Sequence, residues 1–169
     1  MKRLILSILL GLLLSTPALA ERRFVEKVED GQTLKLITGE RVKLIGVDIN
    51  GDQSQEASDF VRSLVSGSII ELEYDELTRD ENGYILAYAW FEYEINYENP
   101  EDLFPDNFDL HYVKPVGAQT GKFYVMLNST IIKAGYAKPA FLDSNMKHAQ
   151  LMNNMYREKD LLTAAVSLE

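Results

Sequence analysis

The fold is decided by residues 24–48, which read FVEKVEDGQTLKLITGERVKLIGVD. Apolar and polar residues alternate there in three short runs, at 24–28, 33–37 and 41–47. The turn residues Asp30-Gly31 separate the first two runs, and Gly39 lies between the second and the third. This pattern predicts three antiparallel strands in a meander. Gly46, inside the third run, predicts a bulge or a tight bend of the kind that a small barrel requires.

A helix and a hairpin follow the meander. Apolar residues at helical spacing predict a helix over 54–66, and Asp52 or Ser54 is expected to cap it. Asn82-Gly83 is typical of a two-residue hairpin turn, and it predicts a fourth and a fifth strand at 70–74 and 84–91.

The second half of the chain is predicted to contain an insertion and two helices. Residues 92–122 hold three X-Pro pairs among acids and aromatics, so we interpret them as an insertion after the fifth strand. Helices are expected at 123–134, ended by Gly135, and at 144–165, capped by Ser144. The predicted fold class is mainly β with α (α+β), a five-stranded OB-type barrel with packed helices.

The first 20 residues have the pattern of a targeting segment. Lys2 and Arg3 precede an apolar run at 4–14, and Ala18-Leu19-Ala20 forms a small-x-small cleavage site. This is typical of a secretory signal peptide, and an uncleaved N-terminal anchor is the alternative. The chain has no cysteine, which excludes a disulfide framework. We expect an exported protein, periplasmic or secreted, whose residues 21–169 form one domain without stable membrane insertion.

The charge of the chain argues against strong binding of nucleic acid. The formal charge is -9, and loss of residues 1–20, with two basic residues and no acid, makes it -11. Binding to DNA or RNA requires Lys and Arg to displace counterions from phosphates. An acidic surface therefore favours a protein partner, unless basic residues cluster locally. The candidates for such a basic patch are Lys35, Arg41 and Lys43.

Five short motifs occur in order along the chain. They are Asp30-Gly31-Gln32-Thr33, Gly46-Val47-Asp48, Glu56-Ala57-Ser58, Leu86-Ala87-Tyr88 and Ala134-Gly135-Tyr136. Together they resemble the thermonuclease (staphylococcal-nuclease-like) family over residues 24–91 and 123–165. The resemblance implies an OB-type barrel and, in active members, a bound calcium ion and cleavage of phosphodiesters.

The resemblance also implies which positions carry the chemistry, and most of them differ here. Active members have a metal-binding Asp, a phosphate-binding Arg, a Glu base and a second Arg; the corresponding residues of this chain are Gln32, Lys43, Gly51 and Tyr84. Lysine keeps the charge but loses the bidentate fork, and glycine has no side chain. Asp48 is kept in kind, as a metal ligand. The degenerate positions predict that useful catalysis is lost.

A substitute cation site is one alternative. The polar side chains that are expected to assist Asp48 lie in the neighbouring loops, and they are Asp30, Gln32, Asp52 and Glu56. The opposing interpretation gives the three acids of this set local roles in a turn and at a helix start. His111 and His148 lack ligand spacing, so we interpret them as ordinary histidines.

Aromatic residues provide two candidate binding surfaces. The first is a base-stacking platform on the barrel, formed by Tyr84, Tyr88, Trp90, Tyr93 and Tyr97. Packing in the core and at strand edges is the alternative, and the lack of flanking basic residues favours it. The second surface is the insertion, whose aromatics either recognise a protein or pack on the barrel as a lid.

These observations favour one function and leave others open. The favoured hypothesis is an exported, catalytically inactive binding or interaction module with an unknown protein partner and no cofactor. The alternative is a divergent calcium-dependent nuclease that hydrolyses phosphodiester bonds of DNA or RNA and uses Asp48 and Lys43. Binding of nucleic acid without cleavage is a third hypothesis, and it predicts salt-sensitive affinity.

Overall fold

The computed structural model describes residues 21–94, 113–116 and 121–166, with side chains up to residue 158. Within these ranges the chain forms nine strands, three α-helices and a short 3-10 helix at Gly51–Gln53. The strands are β1 (Glu21–Asp30), β2 (Thr33–Leu36), β3 (Arg41–Leu44), β4 (Gly46–Ile49), β5 (Ile69–Glu73), β6 (Ile85–Glu94), β7 (Val113–Pro115), β8 (Lys122–Met126) and β9 (Ala137–Ala140). The helices are α1 (Ser54–Val65), α2 (Leu127–Ala134) and α3 (Ala149–Val166).

Five of the strands close into a barrel. They follow one another around the ring in the order β3, β2, β1, β5 and β6, and a parallel pairing of β3 with β6 closes the ring. The alternating residues of the sequence explain the closure, because one face of each strand points inward. Val25, Leu34, Val42 and Ile70 are each completely buried on that face. The predicted five-stranded OB-type barrel and the α+β class are therefore confirmed.

Gly46 bends the third strand where the sequence predicts it. Its φ of +73° is a left-handed conformation that suits glycine, and the strand is interrupted at Ile45. The side chain of Phe141 occupies the space that a Cβ at this position would need. Beyond the bend, β4 leaves the ring and pairs with β9, so that Asp48 faces Lys138 across the pair.

Strand β6 extends the sheet beyond the barrel. Its first residues pair with β3, its middle pairs with β5, and Trp90 to Glu94 pair with β8, which in turn pairs with β7. Parts of the predicted insertion are thus strands, at 92–94 and 113–115. Residues 95–112 and 117–120 of the insertion, which include Tyr97 and His111, lie outside the described residues.

The structure corrects the start of the helix predicted at 123–134. Residues 123–126 belong to β8, because β6 continues far enough to pair with them. Phe123, Tyr124 and Val125 are also types that favour strands. Only Leu127–Ala134 is helical, and Gly135, with a φ of +93°, ends the helix as predicted.

The predicted N-terminal caps of α1 and α3 are wrong. Helix α1 begins at Ser54 without any side-chain hydrogen bond at its cap, and Asp52 lies in the preceding 3-10 helix. Helix α3 begins at Ala149 rather than beside Ser144, because the intervening residues form turns.

The helices that the structure describes bear on membrane insertion. None of them has both the length and the apolar composition that a bilayer-spanning helix needs. Residues 1–20 lie outside the described ranges, so the signal peptide and export stay predictions.

Candidate functional site

A groove of about 270 Å³ opens between β3 and β4, the turn before β6 and the loop before α3. Its polar lining consists of Gln32, Lys43, Asp48, Asp80 and Asn145. The fold therefore brings together three of the positions to which the family resemblance assigns chemistry. Gln32 comes from the turn between β1 and β2, Lys43 from β3 and Asp48 from β4 beyond the Gly46 bend.

Lys43 is a half-buried cation in this groove. Its ammonium makes no ion pair or hydrogen bond with the residues that the structure describes. The other two members of the predicted basic patch are neutralised: Lys35 lies 2.8 Å from Glu26, and Arg41 lies 2.6 Å from Glu29. Of the predicted basic patch, only Lys43 is left without a carboxylate partner among the described residues, and this argues against binding of a phosphate backbone by the patch.

The carboxylates around the groove are engaged in different ways. Asp48 is about half exposed, and its Oδ2 lies 3.9 Å from Nζ of Lys138. Asp80 accepts the backbone N–H groups of Asn82 and Tyr84, each at 2.9 Å, and so closes the turn before β6. Asp30 accepts the N–H of Gln32 at 2.8 Å, which is the turn role that the sequence also allows.

The residues at the groove do not fit calcium. This ion takes about six to eight oxygen ligands, usually with several carboxylates. Among the described residues, no three His, Cys, Asp or Glu side chains come together in a group that could hold a metal ion. Gly51 is exposed, with no other atom near the place of a Cβ, and Asp52 and Glu56 are exposed as well. In the described residues Asp48 thus belongs to no group of three His, Cys, Asp or Glu side chains, and a substitute cation site there stays a prediction.

Tyr84 stands where active family members are expected to carry a second Arg. It follows the Asn82-Gly83 turn, is half-buried and does not line the groove. The guanidinium carbon of Arg41 lies 5.8 Å from the centre of its ring, at the outer limit of a cation–π contact.

The predicted aromatic platform is not one surface. Tyr88 is completely buried and Trp90 is 3% exposed, so neither ring can stack on a base. This is a correction to the platform, and its physical reason is that both residues lie in the part of β6 that is covered on both faces. Tyr93 is partly buried against the core, and Tyr97 lies outside the described residues. A binding role for Tyr84 or Tyr93 stays a prediction.

A partly buried polar cluster around Glu73 was missed by reasoning from the sequence. Its Oε1 lies 2.6 Å from Nζ of Lys147 and 3.3 Å from Nε2 of His148. Its Oε2 accepts the indole N–H of Trp90 at 2.8 Å and lies 3.3 Å from Nζ of Lys114. These contacts join β5, β6, β7 and the start of α3. No spacing in the sequence signals them, since the partners are separated by up to 75 residues.

The electrostatics of the cluster favour an ionised Glu73. Burial by itself raises the pKa of the carboxyl group, but hydrogen bonds with His148 and Lys147 and the charge of Lys114 outweigh it, so the pKa is well below its usual value. Burial also raises the pKa of the nearby Tyr88 hydroxyl, which therefore stays neutral. His148 packs edge-on against the ring of Tyr88, with 4.5 Å between the ring centres. The cluster therefore resembles a structural clamp more than a set of reactive groups.

Comparison with known proteins gives a partial match to a nuclease. No family model matches the chain. The chain is similar to a thermonuclease of Staphylococcus intermedius, with 34% identity over 88 residues, which is 45% of this chain and 52% of that protein. The match thus spans about half the length of the relative. Together with the closed five-stranded barrel, it fits a staphylococcal-nuclease-like family and suggests a nuclease-like domain.

Proposed function

We propose that this chain is a nuclease-like barrel that binds a partner and does not cleave phosphodiesters. The observation that carries the proposal is the groove that holds Gln32, Lys43 and Asp48. At the positions where the family resemblance expects a metal-binding acid, a base and two arginines, this chain has an amide, a glycine, a lysine and a phenol. The groove remains open and partly apolar, which suits binding more than hydrolysis.

The charge of the molecule supports a protein as the partner. Cleavage of DNA or RNA requires a surface that attracts phosphates, and here Lys43 is the groove's basic lining residue, in a chain of formal charge -9. We further propose that the protein acts after export, in the periplasm or outside the cell, as the pattern of residues 1–20 predicts.

A nuclease assay tests the proposal. The purified mature protein, from Glu21 onward, is incubated with single-stranded DNA and with RNA in millimolar calcium, beside the Asp48→Ala and Asp59→Ala variants. Asp59 is an exposed acid on α1 away from the groove, so its variant controls for the loss of a charge. We expect no cleavage above background by any of the three proteins, with fluorescence of Trp90 showing that each is folded.

The 34% identity to a thermonuclease keeps a second function open, a divergent calcium-dependent nuclease. That function predicts cleavage by the wild type and by Asp59→Ala, and its loss in Asp48→Ala and without calcium. This result would replace the binding proposal with an enzymatic one. Cleavage that persists in Asp48→Ala would point to a contaminating nuclease and call for repeat purification before any conclusion.

A further inference from the structure

Two loops beside the groove, which hydrogen bonds of Asn145 hold together, expose large apolar side chains. Leu77, in the loop before β6, is 39% exposed, and Leu142 and Met146, in the loop before α3, are 56% and 51% exposed. Clustered apolar exposure of this kind commonly marks an interaction site. We define the loop rim as these three residues with the two acids beside them in sequence, Glu76 and Asp143.

Asn145 holds the two loops of the loop rim together. It is 1% exposed, and its side chain accepts the N–H of Leu77 at 2.9 Å and donates to the carbonyl of Leu77 at 3.0 Å. Its own N–H donates to the carbonyl of Leu142 at 2.8 Å. Because the apolar side chains stand on a fixed backbone, a partner does not have to order the loops when it binds. Leu142 and Asn145 also line the groove, so the two surfaces are continuous.

Among the residues that the structure describes, the acids of the loop rim lack the cation partners that several acids elsewhere on the barrel have. Glu76 and Asp143 are exposed, and in the described part of the chain neither carboxylate makes an ion pair or a hydrogen bond. By contrast, three carboxylates on the β1, β2 and β3 side of the barrel are paired with cations, as Glu26–Lys35, Glu29–Arg41 and Glu40–Arg79. Unpaired carboxylates around an apolar centre complement a partner that carries the opposite charge.

We propose that the loop rim docks a segment of a partner protein whose apolar side chains are flanked by lysine or arginine. This proposal rests on the function proposed above and specifies the chemistry of the partner. Charge disfavours two other occupants. A second copy of the chain is itself acidic, and residues 95–112 contain five acids and no lysine or arginine.

Peptide titration tests this docking surface. The probes are two labelled heptapeptides, Lys-Lys-Leu-Leu-Phe-Lys-Lys and Glu-Glu-Leu-Leu-Phe-Glu-Glu, added to the mature protein and followed by fluorescence anisotropy. We expect the lysine-flanked peptide to bind at least about tenfold more tightly. Leu142→Ser and Glu76→Lys should each weaken its binding by roughly tenfold.

Two matched variants control for general effects of the substitutions. Ile37→Ser removes an apolar side chain that is 67% exposed after β2, and Glu158→Lys reverses an exposed acid on α3. Both should bind the lysine-flanked peptide as the wild type does. Loss of binding in these controls equal to the loss in Leu142→Ser and Glu76→Lys would mean nonspecific attraction and would reject the proposal.

Three further results would also overturn it. Equal affinity for the two peptides, or no binding of either, would show that the acids of the loop rim do not select a basic partner. A dimer in sedimentation that Leu142→Ser abolishes assigns the surface to a second copy. If the peptide binds only to the Phe104→Ser variant, residues 95–112 of the chain itself are the occupant of the loop rim in the wild type. None of these assays contains nucleic acid, so failure here leaves the nuclease test untouched, and cleavage in that test rejects the proposed function independently.

Discussion

Gly46 shows how much one residue contributes to this barrel. Its positive φ disfavours any side chain, and a Cβ would overlap the ring of Phe141. We expect Gly46→Ala to lower the free energy of unfolding by about 2–4 kcal/mol, from roughly 1–2 kcal/mol of backbone strain and the remainder from the clash. Urea unfolding followed by fluorescence of Trp90, the single tryptophan, measures the loss.

Two other glycines separate the contributions to that loss. Gly39 has a φ of +86° but open space around its Cβ position, so Gly39→Ala reports backbone strain alone. Gly51 has open space and no positive φ, so Gly51→Ala should change stability by less than about 0.5 kcal/mol. If Gly46→Ala were no worse than Gly39→Ala, Phe141 would have to move freely, and the argument from close packing would fail.

Residue types in the sequence predicted local features well and distant contacts poorly. The bend at Gly46 and the turn at Asp30 follow from the conformations that these residue types prefer, without any distant partner. The pairing of Glu73 with His148 depends on where the start of α3 lies on the barrel. Burial of Tyr88 and Trp90 was open to two interpretations, because an aromatic strand fits either a core or a stacking surface.

At the scale of elements, Asn128 connects α2 to β6 and to the bend between β3 and β4. This residue is completely buried, and its side chain accepts the N–H of Ala89 at 2.9 Å and donates to the carbonyl of Ile45 at 2.9 Å. Asn128→Leu keeps the branched shape of the side chain but leaves both backbone groups without this partner. We expect it to lower the free energy of unfolding by about 2–4 kcal/mol, measured by urea unfolding.

The neighbouring Ser129 provides the control for Asn128. It is also completely buried, but its hydroxyl donates to the carbonyl of Met126, which also accepts the hydroxyl of Thr130. Ser129→Ala therefore leaves no acceptor without a partner, and its cost should stay below about 1 kcal/mol. Equal stability of Asn128→Leu and Ser129→Ala would show that α2 is held by apolar packing and not by this amide.

The sequence predicted which segments are helices and which are strands, except where pairing with a distant strand determines the structure. Residues 123–126 are apolar and precede a helical pattern, so local sequence allows both helix and strand. The extension of β6 to Glu94 supplies the pairing that makes them a strand, and that extension lies in a region interpreted as an insertion. Similarly, Ser144 is a good cap residue, but the next residue, Asn145, uses its side chain to hold Leu77, and the helix starts four residues later.

At the scale of the whole molecule, the candidate groove is where the sequence was most informative. The motifs around Gln32, Lys43 and Asp48 predicted residues of one site, and the structure places all three in one groove. The loop rim could not be predicted, because its two loops meet through a contact of Leu77 with Asn145, which are 68 residues apart. Charge counted over the chain predicted an acidic protein but not which acids lack partners.

The Glu73 cluster joins distant parts of the molecule, and it should make global stability depend on pH. The pKa of Glu73 is lowered in the folded state from an ordinary value of 4.5. Its contribution is therefore fully present above pH 4.5 and is lost as the pH falls toward the lowered pKa, because the unfolded state binds the proton first. We expect Glu73→Gln to lower the free energy of unfolding by about 1–3 kcal/mol near pH 7. This difference from the wild type should shrink by about pH 3.

The exposed Glu76 provides the matched control for the pH measurement. Its carboxylate makes no ion pair in the described residues, so Glu76→Gln should follow the wild type at both pH values. A difference between Glu73→Gln and the wild type that stays constant from pH 7 to pH 3, about the span in which carboxylates titrate, would contradict a lowered pKa. The cluster would then act through the pattern of its hydrogen bonds alone, because the amide and the carboxyl group would differ in stability by the same amount at every pH. If the stability difference instead shrinks at low pH, the contacts that join β5, β7 and α3 depend on the negative charge of Glu73.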